Sequence, residues 1–190
     1  RCLHLDGLEC VTEADLVHIA NTCCSLTALA IRDMPLSDVI LADFTSACSS
    51  VIKLDLTDNT VVTDAGILSI VQNLKKLCKI SLYACSSLTS VSLTHIQAHC
   101  CDRLVQLSVN VEHENIDTLV TLLENSNLQD IGFGLQQQAP HAQLTHAQLT
   151  PAQLHSLFAA SSTADSLTLR GVIGTDDVLS LVGNYCRNLE

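Results

Sequence analysis

His95 and His99 stand four residues apart and run directly into Cys100 and Cys101, the most metal-like spacing in this chain. On a helix the two imidazoles share one face and can reach a single zinc ion. Cys100 falls on the opposite, apolar face, and no second pair of ligands has suitable spacing, so a solvated helix surface without metal is expected. His18, His113, His141, His146 and His155 are read as surface residues too. No phosphate-binding glycine loop, G-x-S-x-G elbow or H-E-x-x-H helix occurs. Asp15, Asp38, Asp64, Asp117, Asp176 and Asp177 lie near expected helix starts, where a carboxylate accepts backbone N–H bonds and meets a favourable dipole. Catalysis by paired carboxylates needs convergence on a pocket, whereas repeated units spread equivalent residues along a rim. Neither a catalytic centre nor a cofactor is expected.

The elements that position these residues show best in residues 51–77, VIKLDLTDNTVVTDAGILSIVQNLKKL. Val51, Leu54 and Leu56 follow the order L-x-x-L-x-L, so Leu54 and Leu56 point to one face of a short strand. A polar turn, Thr57 to Thr60, leads to Thr63-Asp64-Ala65-Gly66 and then to Ile67, Ile70, Val71 and Leu74 at helical spacing. Thr63 or Asp64 can cap that helix. Such a unit has an apolar face on both halves and nothing of its own to cover them, so it needs similar units stacked beside it.

The chain supplies them. The first inward residues of successive strands are Leu3, Leu29, Leu54, Ile80, Leu107, Ile131 and Leu167, at spacings of 26, 25, 26, 27, 24 and 36. Each has an apolar residue two positions later: Leu5, Ile31, Leu56, Leu82, Val109, Phe133 and Leu169. The helical half recurs after Thr12, Ser37, Thr89, Ile116 and Thr175, the last two helices ending near Glu124 and Cys186. Cys23, Cys48, Cys100 and Cys186 share one column at the helix end with Leu74, the place of a small buried apolar residue. Cys85, three residues after Leu82, belongs in the turn after its strand.

This order, with Cys three residues after the strand, a Thr-Asp-like helix start with Gly and Cys at the helix end, resembles the cysteine-containing leucine-rich repeat of F-box leucine-rich-repeat proteins. Residues 77–104 match at Cys85 and Cys100, and residues 51–77 at Thr63, Asp64 and Gly66. The fifth and sixth units have no cysteine. The resemblance implies an α/β fold, a right-handed solenoid or horseshoe of about seven strand-helix repeats. Its parallel sheet lies on the concave side. It spans residues 1–190 as one domain, read as a fragment of a longer array. It also implies a protein-interaction module that selects substrates for a cullin-based ubiquitin ligase, whose other subunits become partners if an F-box lies outside these residues. A leucine-rich-repeat scaffold or regulator without a ubiquitin role is the alternative, with a metal protein or enzyme centred on His95 and His99 more remote.

Composition narrows the partners. Nine Lys and Arg against 20 Asp and Glu give a net charge of -11, which disfavours nucleic acid and anionic membranes and suits a protein with a basic or mixed-charge surface. No apolar run approaches the roughly 18 residues of a membrane span. With 10 cysteines spread through an aliphatic chain and no N-x-[ST] sequon, a cytoplasmic or nuclear setting is expected.

Stacked strands put every outward residue on one surface. The expected partner-binding residues on this concave face are Arg32, Asp33, Lys53, Asp55, Asp58, Lys79, Ser81, Tyr83, Gln106, Asn110 and Arg170. Arg and Tyr are the residue types that most often carry interface energy. The sixth unit also holds an insertion, 134–150, about ten residues longer than the period requires. The five-residue repeat A-Q-L-[TH]-x begins within it. It emerges on the side from which a loop can overhang the concave face and touch a partner.

Overall fold

The computed structural model describes residues 1–8, 11–34, 36–112, 114–134, 149–170 and 176–186. Among them seven strands alternate with seven helices: β1 (Cys2–Asp6), α1 (Glu13–Thr22), β2 (Ala28–Arg32), α2 (Asp38–Ala47), β3 (Lys53–Asp55), α3 (Asp64–Asn73), β4 (Lys79–Leu82), α4 (Ser90–Cys100), β5 (Gln106–Asn110), α5 (Ile116–Glu124), β6 (Asp130–Gly134), α6 (Pro151–Ala160), β7 (Ser166–Arg170) and α7 (Asp176–Tyr185). The strands form one parallel sheet in chain order. Leu3, Leu29, Leu54, Ile80, Leu107, Ile131 and Leu167 are register partners along its whole width. The seven markers expected from spacing are thus one physical row, and the fold is the expected α/β leucine-rich-repeat solenoid.

Its core lies between the sheet and the helices. Leu26, Val51, Leu77, Leu104, Leu128 and Ala164, which lead into β2 to β7, are all buried. In the third unit Leu54, Leu56, Ile67, Ile70, Val71 and Leu74 are at most 1% exposed, whereas Leu3, Leu167 and Leu169 of the outer strands are only partly buried. Each interior leucine or isoleucine contributes about 2 kcal/mol on full burial, and only a unit flanked on both sides collects all of it. Stability therefore resides in the interfaces between repeats.

The helix starts reveal a link that sequence spacing does not show. Thr12 caps α1 in a capping box with Asp15, and Thr150 caps α6 in the same way with Gln153. Ser37, Thr63 and Thr89 cap α2, α3 and α4. Asp38 and Asp64, expected at their own caps, serve the next repeat instead. Asp38 accepts from Thr63 N at 2.9 Å and Thr63 Oγ1 at 2.6 Å, and Asp64 accepts from Thr89 N at 3.0 Å and Thr89 Oγ1 at 2.6 Å. Glu13 begins the series by accepting from Ser37 Oγ at 2.9 Å. Gly66 is required by this arrangement, because a Cβ there would collide with the Asp38 carboxylate. Asp117 sits in the first turn of α5, whose N-cap Asn115 makes no capping bond, and the side chains of Asp176 and Asp177 lie outside the described residues. Replacing Asp38 by alanine is expected to cost about 1 kcal/mol, the scale of a lost cap, read as a lower urea midpoint at unchanged slope.

The helix-end column is real, with one correction. Cys48, Leu74, Cys100 and Cys186 are buried there, and buried Ser161 takes the place in α6, donating to Leu157 O. Cys23 is exposed, because among the described residues no repeat packs beyond α1. All nine described cysteines are free thiols. Burial pushes the Cys85 thiol up to about 12 and the Cys100 thiol up to about 11, which keeps both protonated and unreactive. Cys85 lies in the expected turn and donates to Leu56 O at 3.1 Å. Of the insertion 134–150, residues 135–148 lie outside the described residues; α6 begins at Pro151, directly after it.

The open face of the sheet as a candidate binding surface

Outward side chains stand in registered rows. The first runs Cys2, Ala28, Lys53, Lys79, Gln106, Asp130, Ser166, and the second His4, Ala30, Asp55, Ser81, Ser108, Gly132, Thr168. Neighbouring strands lie about 4.8 Å apart, so each residue meets the one beside it.

At the N-terminal end of this face the charges are committed to one another. Arg32 donates through Nε at 2.9 Å and Nη2 at 2.6 Å to Asp55 Oδ2, and Nη1 reaches Asp6 Oδ2 at 3.5 Å. Asp55 is only 8% exposed and also accepts from Thr57 N and Thr57 Oγ1. Burial alone would raise its pKa; the Arg32 and Thr57 hydrogen bonds outweigh that and hold the carboxyl below the usual carboxylate range. Thr57 Oγ1 in turn lies 3.2 Å from Ser81 Oγ. Asp33 and Asp58 are exposed but sit in the turns that end the strands, with φ of 50° and 65°, a left-handed conformation that Asp tolerates better than most residues.

Towards the C-terminal end the surface closes over Tyr83. The backbone of β6 carries Gly132 and Gly134 on its outward side, and a Cβ on either would strike the Tyr83 side chain. The ring therefore lies across the sheet in a slot that two missing side chains create. Arg170 covers it, with its guanidinium carbon 4.5 Å from the ring centroid, a cation–π contact worth about 0.5–1 kcal/mol at an exposed site. Tyr83 is consequently 6% exposed, and its hydroxyl has no hydrogen-bond partner. Burial raises its pKa, with Ser108 and Arg170 working in the opposite direction, so it stays a protonated donor at neutral pH. Replacing Tyr83 by phenylalanine is expected to raise stability by about 1 kcal/mol, since an unsatisfied buried hydroxyl is removed without a cavity; a thermal melt checks it.

Lys53, Asp55, Lys79, Ser81, Tyr83, Gln106 and Arg170 line one shallow depression of about 200 Å³. The structure brings these seven expected residues together, and adds Ser108, Asp130, Ser166 and Thr168. Those four occupy the same outward rows, Asp130 and Ser166 with Lys79 and Ser108 and Thr168 with Ser81, and that register was the signal that could have selected them. Asn110 stays apart from the depression: its Oδ1 accepts from Ala84 N, and its backbone carbonyl accepts from Asn115 Nδ2. Arg32, Asp33 and Asp58 lie outside it too.

On the helical side, His99 is exposed and His95 partly so, and among the described residues no three His, Cys, Asp or Glu side chains come together as a metal site. No helix among the described residues is long and apolar enough to cross a membrane.

No protein-family model matches the chain, and no curated protein matches it in sequence. Among solved structures it is similar to a chain of the yeast Rad7–Elc1 complex, with a TM-score of 0.60 and 17% identity over 95% of this chain. This chain covers 48% of that one, about half its length. It is also similar to actin-binding site 2 of leiomodin-1, with a TM-score of 0.47, 13% identity and coverage of 94% of this chain and 90% of that one. The C-terminal domain of tropomodulin from Caenorhabditis elegans gives a TM-score of 0.44, 12% identity and coverage of 94% and 93%. At these identities the likeness is one of fold.

Proposed function

We propose that this chain is a protein-recognition module, not an enzyme, and that its partner docks on the open face of the parallel sheet. One observation carries the reading: the outward rows leave Lys53, Lys79, Gln106 and Arg170 around a depression of about 200 Å³ that is open and polar. Such a surface suits an extended contact better than a substrate that must be enclosed. The partner has a mixed-charge surface, in keeping with the net charge of -11, and is neither nucleic acid nor membrane. The fold it shares with a chain solved in complex with Elc1 supports a role in partnering.

The resemblance in sequence pattern to the cysteine-containing repeats of F-box proteins supports a finer reading. The chain selects substrates for a cullin-based ubiquitin ligase in the cytoplasm or nucleus, with the F-box outside these residues. Co-purification of a cullin with the full-length protein tests that part by itself.

For the docking face, Arg32 and Tyr83 are poor probes, since one neutralises buried Asp55 and the other fills the Gly132 slot. Lys53→Glu with Gln106→Arg changes exposed or half-exposed positions instead, and Val39→Ser on α2 is a control that is 68% exposed. Capture from cell lysate is expected to retain the same proteins with the wild-type chain and the control and to lose them with the double variant. Equal retention by all three would place the docking surface elsewhere.

A further inference from the structure

The depression holds an unusual charge arrangement for so acidic a chain. Lys53 and Lys79 are register partners on adjacent strands, where like charges repel. Among the described residues the only ion pairs are those of Arg32 with Asp6 and Asp55. Neither lysine is therefore paired, and Asp55, which stands in the adjacent row, is already neutralised by Arg32. With Arg170 at the other edge, three of the nine basic residues meet at one place, against Asp130 as the single uncommitted carboxylate. Hydroxyl donors fill the floor between them, including that of Tyr83, which is buried without a partner.

We propose that this depression is an anion-binding site that receives an acidic group, a carboxylate or a phosphoryl group, carried on a peptide segment of the partner. The proposal rests on the docking face being the open sheet face and names what that face reads. Lys53 and Lys79 supply the charge, and Ser108 and Tyr83 supply neutral donors. Arg170 moves from the Tyr83 ring to the anion, exchanging a weak cation–π contact for a charge-assisted hydrogen bond. That movement also uncovers the Tyr83 hydroxyl. Repulsion between the two lysines, a defect in the free chain, becomes an attraction shared by the bound anion.

The test titrates the isotope-labelled chain with three probes at constant ionic strength: inorganic phosphate, an acetylated triglutamate amide, and an acetylated Gly-phosphoserine-Gly amide. Saturable shifts are expected at the amides of Lys79, Ser81, Ser108 and Gly132, with those of Val39 and Ala65 on the helical side unmoved. The two peptides distinguish a carboxylate from a phosphoryl ligand. Lys79→Gln and Tyr83→Phe, both of which preserve the packing, should each weaken the better peptide about tenfold, the loss of roughly one charge-assisted or buried hydrogen bond. Shifts that never saturate, or that saturate at an unchanged peptide concentration in Lys79→Gln, would overturn the site. If the titrations are silent while lysate capture still depends on Lys53 and Gln106, the anion site alone fails; if capture is also indifferent, the docking face fails with it.

Discussion

Replacing Asn59 by alanine lowers the stability of this chain by about 3 kcal/mol, the scale of a buried polar cluster left without partners. Asn59 is fully buried in the turn after β3. Its Oδ1 accepts from Met34 N at 3.1 Å, and its Nδ2 donates to Ile31 O at 2.6 Å and Leu56 O at 2.8 Å. Alanine orphans Met34 N and Ile31 O, whereas Leu56 O keeps its bonds from Asn59 N and Cys85 Sγ. For a chain of this size the expected shift in melting temperature is roughly 6–12 °C. Cysteine at position 59 should be milder. Cys85, the equivalent residue one repeat later, donates to Leu56 O as Asn59 donates to Ile31 O. A thiol at 59 keeps that contact and loses the acceptor for Met34 N and the second donor bond, to Leu56 O. A loss for Asn59→Cys as large as for alanine would show that the bond to Ile31 O contributes nothing.

The second large effect is at Arg32. Arg32→Met leaves the Asp55 carboxylate buried with only Thr57 to bind it. Breaking a fully buried pair costs roughly 3–5 kcal/mol; because the Arg32 side chain is 41% exposed, about 2 kcal/mol is expected at neutral pH. The pH dependence has a definite sign. In the wild-type chain the Asp55 pKa lies below its ordinary value, so its contribution is present above about pH 4 and is lost as pH falls through the depressed value. In the variant the Arg32 contributions are gone while burial and the Thr57 bonds remain, so the Asp55 pKa lies higher than in the wild-type chain and protonation on acidification relieves the strain sooner. The difference between the two proteins should therefore begin to shrink as pH falls through the variant's higher Asp55 pKa and be smallest once both carboxyls are protonated. Urea midpoints measured across pH 3–7 read it, and a constant difference would mean that Asp55 is not the group left exposed to the change.

These two residues also show where sequence reasoning reaches and where it stops. The strand markers from Leu3 to Leu167 were legible because two periods agree there, alternation within a strand and a spacing near 26 between strands. A one-residue slip would have turned a whole row to solvent. The helix starts were legible from Ser and Thr caps, and the end of α5 at Glu124 was found without a cysteine to mark it. Lateral commitments were not. Alternation gives the face on which Asp55, Tyr83 and Asp38 stand, but not that Asp55 neutralises a neighbouring strand's arginine. Nor does it show Asp38 capping the next repeat, or Tyr83 lying along the sheet. Each depends on what stands 23 to 51 positions away. The segment DIGFG of β6 carried a usable signal, since two outward glycines leave gaps that a neighbouring ring can fill. Asn59 was hidden because a buried amide and a solvated turn residue have the same letter.

The most direct measurement of the central claim is site-specific photo-cross-linking in cells. A benzoyl-phenylalanine is placed at Gln106 on the open sheet face or at Val39 on the helical side. A discrete cross-linked adduct from position 106, diminished by Lys53→Glu and absent from position 39, is the predicted result. Adducts from position 39 alone, or of equal yield from both, would contradict a docking surface on the sheet.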